Sequence, residues 1–203
     1  ADIKPEEFDY FHEVVCHEEL SRVGIYTYGE GLGSGMIIGL PPVLNFGPAW
    51  MQNTIVPEIL SGEKIICLAI TEPFVGSDVA SLKTTAVKTP DGKHYVVNGL
   101  KKWITNGAFS DYFTTAVRTG GKGHSGISML LIPRTEGVTT KTIKTSGSTS
   151  AGTALIEFDN VLVPVENLIG EENKGFKIIM SNFNHERWTM VVAATRAARE
   201  VVD

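Results

Sequence analysis

Cysteine is scarce in this 203-residue sequence: Cys16 and Cys67 are the only two, so at most one disulfide can form. Both lie in apolar patterns where free buried thiols are common, which fits a reducing intracellular compartment. Positive charge is short as well. Lys and Arg number 18 against 23 Asp and Glu, giving a formal net charge of −5 and a pI near 5.6. The basic residues are scattered, with Lys101-Lys102 and Arg196 to Arg199 the densest runs, so the clustered cations that nucleic-acid binding draws on are missing. Long apolar runs are absent. The uncharged stretch from Gly31 to the charge at Glu58 is broken by Pro41-Pro42, Asn45, Gly47-Pro48, Gln52 and Asn53. It falls short of the ~18 apolar residues of a membrane span. The segment Gly31-Leu32-Gly33-Ser34-Gly35 lacks the last glycine of GxGxxG and any preceding strand, no GxxxxGK[ST] occurs, and no GxSxG elbow marks a hydrolase. The opening residues show no charged segment followed by an apolar one, so no targeting signal is expected in them.

What remains is 42% hydrophobic and 20% charged residues with a mean hydropathy of +0.04, the composition of a folded chain with ample core material. Residues 1–62 read as helical. Pro5 with Glu6 and Glu7 opens a helix, Phe8, Phe11, His12, Val15, Leu20 and Val23 recur at helical spacing, and Gly24 ends it. Six glycines then fall between Gly24 and Gly39, in a loop or in a closely packed helix. Pro42 starts a further helical pattern through Trp50, Met51, Ile55 and Ile59 to Ser61-Gly62.

From Ile65 the pattern changes to short β-branched and aromatic runs. Eight strands are expected, at 65–70, 84–88, 95–98, 101–105, 112–118, 127–132, 138–143 and 153–158, which means a sandwich or barrel. From Gly175 a helical pattern returns and reaches Asp203 without a stop signal, as in a chain cut in mid-helix.

Three constellations can carry chemistry. The first is Ala69-Ile70-Thr71-Glu72-Pro73-Phe74-Val75-Gly76-Ser77-Asp78, where Gly76 permits close approach and Ser77 or Asp78 can cap the turn Val79 to Leu82 and offer N–H groups to a phosphate; the alternative is an ordinary strand-to-turn corner. The second is Lys101-Lys102-Trp103-Ile104-Thr105-Asn106-Gly107. Trp103 and Thr105 share a strand face, suited to stacking on a planar cofactor and bonding its edge, or else Trp103 fills the core of a hairpin turned at Asn106-Gly107. The third is Asn184-His185-Glu186-Arg187-Trp188. Glu186 shares a helix face with Met190, Ala193 and Ala197, so it is either a desolvated general acid or base or a carboxylate paired with Arg187 or another basic group. His12, Cys16 and Glu19 form an i, i+4, i+7 stripe that reads as helix packing or helix surface, and no metal is expected there.

Taken together, these segments resemble the acyl-CoA dehydrogenase flavoprotein family. The resemblance runs through PPVLNFG, PEILSGEK, AITEPFVGSDVASLKTTA, VVNGLKKWITNG, IEFDNVLVPVENLIG, ENKGFKIIM and NHERW. It is nearest to a fungal-type subgroup carrying CLAITEP and NFNHER, some members of which add a cytochrome b5-like domain not present here. The resemblance implies an α+β multidomain fold, with residues 1–62 ending an N-terminal helical domain, 63–165 forming an antiparallel β-barrel middle domain that binds FAD and acyl-CoA, and 166–203 a linker and the first helix of a C-terminal helical domain. It implies that Leu68, Ala69, Ile70, Thr71, Gly76, Ser77, Trp103, Ile104 and Thr105 bind FAD, that Ser77, Thr119, Asn184, His185 and Arg187 lie at the acyl-CoA, and that the base is either Glu186, as in the isovaleryl and long-chain types, or a Glu late in the C-terminal domain, as in many other members. Departures are Val75, where a small residue is usual, and the loop Thr145 to Gly152, which lacks the usual arginine.

The implied reaction is α,β-dehydrogenation of an acyl-CoA thioester, with electron-transferring flavoprotein or another acceptor as partner, a homodimer or homotetramer as assembly, and a mitochondrial or peroxisomal compartment. The rival readings are an acyl-CoA oxidase of the same fold and a non-catalytic β-barrel binding module.

Overall fold

The computed structural model describes residues 3–23, 30–31, 33–147 and 149–202. Helix α1 (Tyr10–Arg22) follows a single 3-10 turn at Pro5–Glu7. It starts later than the acidic Pro5 segment suggests because Asp9 is the better cap: its carboxylate accepts the N–H groups of Phe11 and His12, and the His12 ring accepts the Asp9 N–H. Gly24, expected to end this helix, lies outside the described residues. Beyond them Ser34–Gly39 forms a π-helical turn, with the Leu40 N–H reaching back to the Gly35 carbonyl at 2.9 Å. The glycines there serve close packing. A Cβ on Gly39 would stand 3.0 Å from the Cys67 backbone, and one on Gly35 would stand 3.2 Å from the Ile66 carbonyl, so the turn rests directly on the next strand. Helices α2 (Pro41–Phe46) and α3 (Ala49–Leu60) divide the following helical pattern at Gly47-Pro48.

The eight strands are β1 (Ile66–Ala69), β2 (Thr85–Lys88), β3 (His94–Ile104), β4 (Tyr112–Arg118), β5 (Ile127–Pro133), β6 (Val138–Thr142), β7 (Ala154–Pro164) and β8 (Leu168–Ile169). Their number matches the expectation but their division does not. The runs 95–98 and 101–105 form one strand through Gly99, β7 extends past Asn160, and β8 carried no sequence signal. The sheet order is β6-β7-β3-β2-β4-β5-β8, with β1 alongside β4 in parallel. Among the described residues no pairing joins β6 to β8, so the sheet is curled rather than closed into the expected barrel.

Curling creates two cores. On one face, side chains of β3 and β7 meet those of β1, β4 and β5, with Phe113 edge-on to Phe158 at a centroid distance of 6.2 Å. Each ring is nearly solvent-free, which stabilises the fold by about 1.5–3 kcal/mol per ring. On the other face, Ile66, Ala116, Ile127, Met129 and Leu131 pack against α2, α3 and the long helix α4 (Gly175–Val202). Helix α4 begins hard against β5, since a Cβ on Gly175 would lie 2.6 Å from the Ser128 backbone. Among the described residues, no helix is long and apolar enough to cross a membrane.

Among the described residues one ion pair is sunk into this apolar frame. Lys101 on β3 is fully buried; its ammonium donates to Glu72 Oε1 at 2.8 Å and to the Ile70 carbonyl at 2.9 Å. Glu72 also accepts the N–H groups of Lys83 at 2.7 Å and Thr84 at 2.9 Å. Burial pulls the Lys101 ammonium down to about 8, with Glu72 opposing the shift. Burial pushes the Glu72 carboxyl up, but the Lys101 charge and the Thr84 bonds pull harder and hold it below its ordinary 4.5. The Glu72 contribution to stability is therefore complete above about pH 4.5 and lost as pH falls through the folded value.

Lys101→Met should cost about 3–5 kcal/mol in urea unfolding, because it strands a buried carboxylate. The double variant Lys101→Met, Glu72→Gln should cost clearly less than the sum of the single changes, and strict additivity would show that the pair is not coupled.

Candidate active site

A cavity of about 240 Å³ opens where the end of β1 meets the end of β3, facing α4. Its strand side follows from the two-residue alternation of β1: Leu68 and Ile70 face the cavity, while Cys67 and Ala69 face the sheet core. Ala69 thus does not reach the cavity, contrary to the expectation. Burial pushes the Cys67 thiol up to about 12, against the Ser110 hydroxyl and the Arg134 charge. Cys16, expected to be buried, is exposed on α1.

Thr71 follows β1 and is pinned to β3 by two bonds. Its hydroxyl donates to the Lys102 carbonyl at 2.5 Å, and its own carbonyl accepts the Lys102 N–H at 2.9 Å. The hydroxyl oxygen keeps acceptor capacity toward the cavity. Beside it β3 carries a bulge: Lys101 pairs with Ile156 and Ile104 with Ala154, so one residue of β3 is extra. Trp103 absorbs it at φ +67°, a conformation that costs a bulky residue roughly 1–3 kcal/mol. The consequence is an indole turned outward, 56% exposed, with the Lys102 ammonium 4.8 Å from its ring centroid. The alternative of Trp103 in a hairpin core is excluded, and the turn at Asn106-Gly107 forms no hairpin because β2 lies between β3 and β4. Ile104 and Thr105 complete this wall.

The opposite wall is helical. Ser34 and Ile38 come from the π-helical turn, Phe183 and Glu186 from α4. Burial pushes the Glu186 carboxyl up to about 7, with the Arg187 charge opposing. The desolvation has a different source from the stripe expected in the sequence: Met190 is 60% exposed and Ala197 is also exposed. The buried face of α4 runs instead through Ile178, Ile179 and Asn182, and Glu186 lies at its rim, where Asn182 Nδ2 donates to its Oε1 at 2.6 Å. Arg187 does not pair with Glu186. Its guanidinium donates to Asn184 Oδ1 at 3.0 Å and lies over the Phe183 ring.

The cavity therefore gathers Leu68, Ile70, Thr71, Trp103, Ile104, Thr105 and Glu186 out of the expected set. It does not gather the rest. Gly76 and Ser77 are exposed on the far side of their turn, where neither Ser77 nor Asp78 caps the 3-10 turn Val79–Ser81 and Asp78 instead accepts the Ser81 hydroxyl. Val75, the departure from the family pattern, is buried in the helix-side core and leaves the cavity untouched. Thr119 lies after β4, bonded to Ser128 and to Asn173 Oδ1. Asn184 is engaged by Arg187 on the exposed side of α4, and His185 bonds Glu13 Oε1 at 2.7 Å, between Tyr10 and Trp188. Among the described residues no group of three or more His, Cys, Asp or Glu is placed to hold a metal ion.

Sequence reasoning missed Ser34, Ile38 and Phe183. Phe183 was within reach, being three residues before Glu186 and so on the same helix side. Ser34 and Ile38 join the site only because the glycine-lined turn packs on β1, which no local pattern reveals.

The chain matches a family model described as acyl-CoA dehydrogenase, middle domain, over residues 67–161, a span from β1 into β7 that contains the whole strand wall of the cavity. It is 51% identical over 199 residues to the acyl-CoA dehydrogenase apdG of Emericella nidulans, covering 97% of this chain and 45% of that protein. A solved acyl-CoA dehydrogenase from Geobacillus kaustophilus superposes with a TM-score of 0.86 at 37% identity, over 95% of this chain and 51% of that one. The acyl-CoA dehydrogenase from Bacillus anthracis solved in complex with FAD superposes with a TM-score of 0.87 at 34% identity, over 96% and 34%. The chain spans about half the length, or less, of these relatives. Helices and curled sheet are shared across nearly all of it, so the chain belongs to the acyl-CoA dehydrogenase family.

Proposed function

We propose that this protein carries out FAD-dependent α,β-dehydrogenation of acyl-CoA thioesters, with Glu186 removing the α-proton. The observation that carries the reading is that a carboxylate with a raised pKa shares one cavity with Trp103, Thr105 and Thr71. The residues present fit a planar ring with a polar edge. Trp103 offers an exposed indole, fixed by the bulge at its backbone and by the Lys102 ammonium at its face. Thr71 offers an acceptor and Thr105 a hydroxyl beside it. When bound, FAD supplies the acceptor for the hydride that leaves the substrate β-carbon.

The rest of the work falls to the chain. Leu68, Ile70, Ile104 and Phe183 line the cavity with apolar surface that excludes water from an acyl tail. Glu186 has a value near neutrality, which suits a base that must be ionised to accept a proton and basic enough to hold it. Strand wall and helix wall stand on opposite sides of one space, so proton and hydride leave on opposite faces of the substrate, and orientation contributes most of the rate. Under this reading residues 63–165 form the cofactor domain, with 1–62 and 166–203 belonging to helical domains on either side. Electron-transferring flavoprotein or another acceptor reoxidises the enzyme.

The deciding experiment is anaerobic bleaching of the flavin-loaded protein by a panel of acyl-CoAs. Glu186→Gln should keep the flavin and lower the bleaching rate by about 10²–10⁴-fold. Unchanged bleaching would place the base elsewhere, and a protein that takes up no flavin would end the enzyme reading.

In the parent protein the bleaching rate should rise with pH to a midpoint near 7, since only the ionised Glu186 accepts a proton. The stability effect has the opposite sign. With a folded value near 7 above an unfolded 4.5, the folded state holds the extra proton, so the Glu186 contribution to stability falls as pH rises through that window. Thermal unfolding scans of Glu186→Gln should lack that fall, and identical profiles in the two proteins would contradict the assignment.

A further inference from the structure

We propose that Asn182 is the positioning residue for Glu186: its amide hangs from the Ile38 carbonyl of the π-helical turn and holds the Glu186 carboxylate at the cavity wall. This rests on reading Glu186 as the base. Asn182 is buried one helical turn before Glu186, and its Nδ2 donates both to Glu186 Oε1 at 2.6 Å and to the Ile38 carbonyl at 3.1 Å. Both partners are oxygens. A flipped amide would set Oδ1 against both of them, so the two bonds fix which end of the amide faces the carboxylate.

Asn182 Oδ1 is buried and has no partner among the described residues. The burial of an unpaired amide oxygen costs free energy that helix packing alone would avoid with a leucine or an alanine. What the asparagine provides in return is a donor fork whose two N–H groups reach two different elements. Ile38 and Glu186 are the two cavity residues it joins, one from each part of the helical wall. Ile38 belongs to a turn that is itself seated on the strands, because Thr114 on β4 donates its hydroxyl to the Gly39 carbonyl at 2.7 Å. The position of the Glu186 carboxylate is thereby referred to the sheet that carries Thr71 and Trp103, and not only to α4.

A donated hydrogen bond favours the ionised carboxylate, so Asn182 opposes the effect of burial. The charged groups on the surrounding elements are few. Arg187 follows Glu186 on α4, and its charge pulls the carboxyl down. Lys102 on β3 is engaged over the Trp103 ring, and Glu13 on α1 is engaged by His185 and His17. None of them bonds to Glu186, which leaves Asn182 as its hydrogen-bond donor among the described residues.

The test is to titrate Glu186 in the purified protein, without substrate, by infrared difference spectroscopy on carbon-13 glutamate-labelled protein, with Glu186→Gln identifying its band. Asn182→Ala should raise the midpoint by about one to two pH units, the shift expected on losing a hydrogen bond to a charged group. Asn182→Asp keeps the shape but replaces the donors with a second carboxylate, and should raise it at least as far, so it carries the test if the alanine variant does not fold. A midpoint that stays in place in the folded variants, with only the unfolding temperature lowered, would reduce Asn182 to packing and overturn the proposal. The readings also part cleanly. If the Asn182 variants move the midpoint while Glu186→Gln still bleaches the flavin, the base assignment fails and the Asn182–Glu186 tie stands.

Discussion

The buried pair between Lys101 and Glu72 is the interaction on which the strand wall depends. Its atoms join three separate pieces of backbone: the Ile70 carbonyl at the end of β1, the Lys83 and Thr84 amides leading into β2, and β3 just before its bulge. An apolar contact at the same place would bury similar area but would tolerate sliding, whereas a carboxylate with three donors is satisfied in one arrangement. That arrangement brings Thr71 within reach of Lys102, and the two bonds between them set the register at which the extra residue must leave the strand. The outward turn of Trp103, costly in backbone terms, is then the remaining way to continue β3 to Ile104 in the core. Buried ion pairs often add little net stability. Here the return is a defined position for two side chains that border the cavity.

The helical wall is held by different means. Gly175 lets α4 start in contact with β5, Ile178 and Ile179 fill the helix-side core, and Asn182 reaches the π-helical turn. Past Glu186 the buried face thins out, with Met190 and Val191 largely exposed. Glu186 thus sits where the helix leaves the core, half desolvated, and this explains a carboxyl that is raised but not driven far above neutrality. Deeper on the same face a carboxylate would be too hard to ionise; further along it would behave as a surface group.

Much of the fold was legible because its signals are local. Six of the expected strands have their counterparts in β1, β2, β4, β5, β6 and the first half of β7, since the apolar alternation is a property of each run. The errors share a cause. Gly99 and Asp159-Asn160 fall outside the expected strands, yet they face each other at a single bulge where β7 carries one residue more than β3: Gly99 at φ +149° and Asn160 at φ +50° let the two strands stay paired across it. Strand β8 has two residues and is a strand only because β5 offers it partners. At the site, the motifs around Thr71, Trp103 and Glu186 stood out in the sequence, but the pair Glu72 and Lys101 lies 29 positions apart, and Asn182 and Ile38 lie 144 apart. Such contacts are created by the fold and leave no periodic trace.

The two walls therefore differ in what sets their precision. The strand wall is over-determined, since removing any one bond of the Lys101–Glu72 cluster leaves the others and the sheet ladder in place. The helical wall is tied to the strand frame near Glu186 by the Asn182 amide and, through the π-helical turn, by the Thr114 hydroxyl. A dehydrogenation that removes two hydrogens from opposite faces depends on the distance between the walls more than on the shape of either. Under the proposed reading the strand side would hold the cofactor, and the helical side, packed through Ile178 and Ile179, carries the carboxylate. On that view the unpaired Asn182 oxygen is a cost accepted for a joint that must be specific in direction.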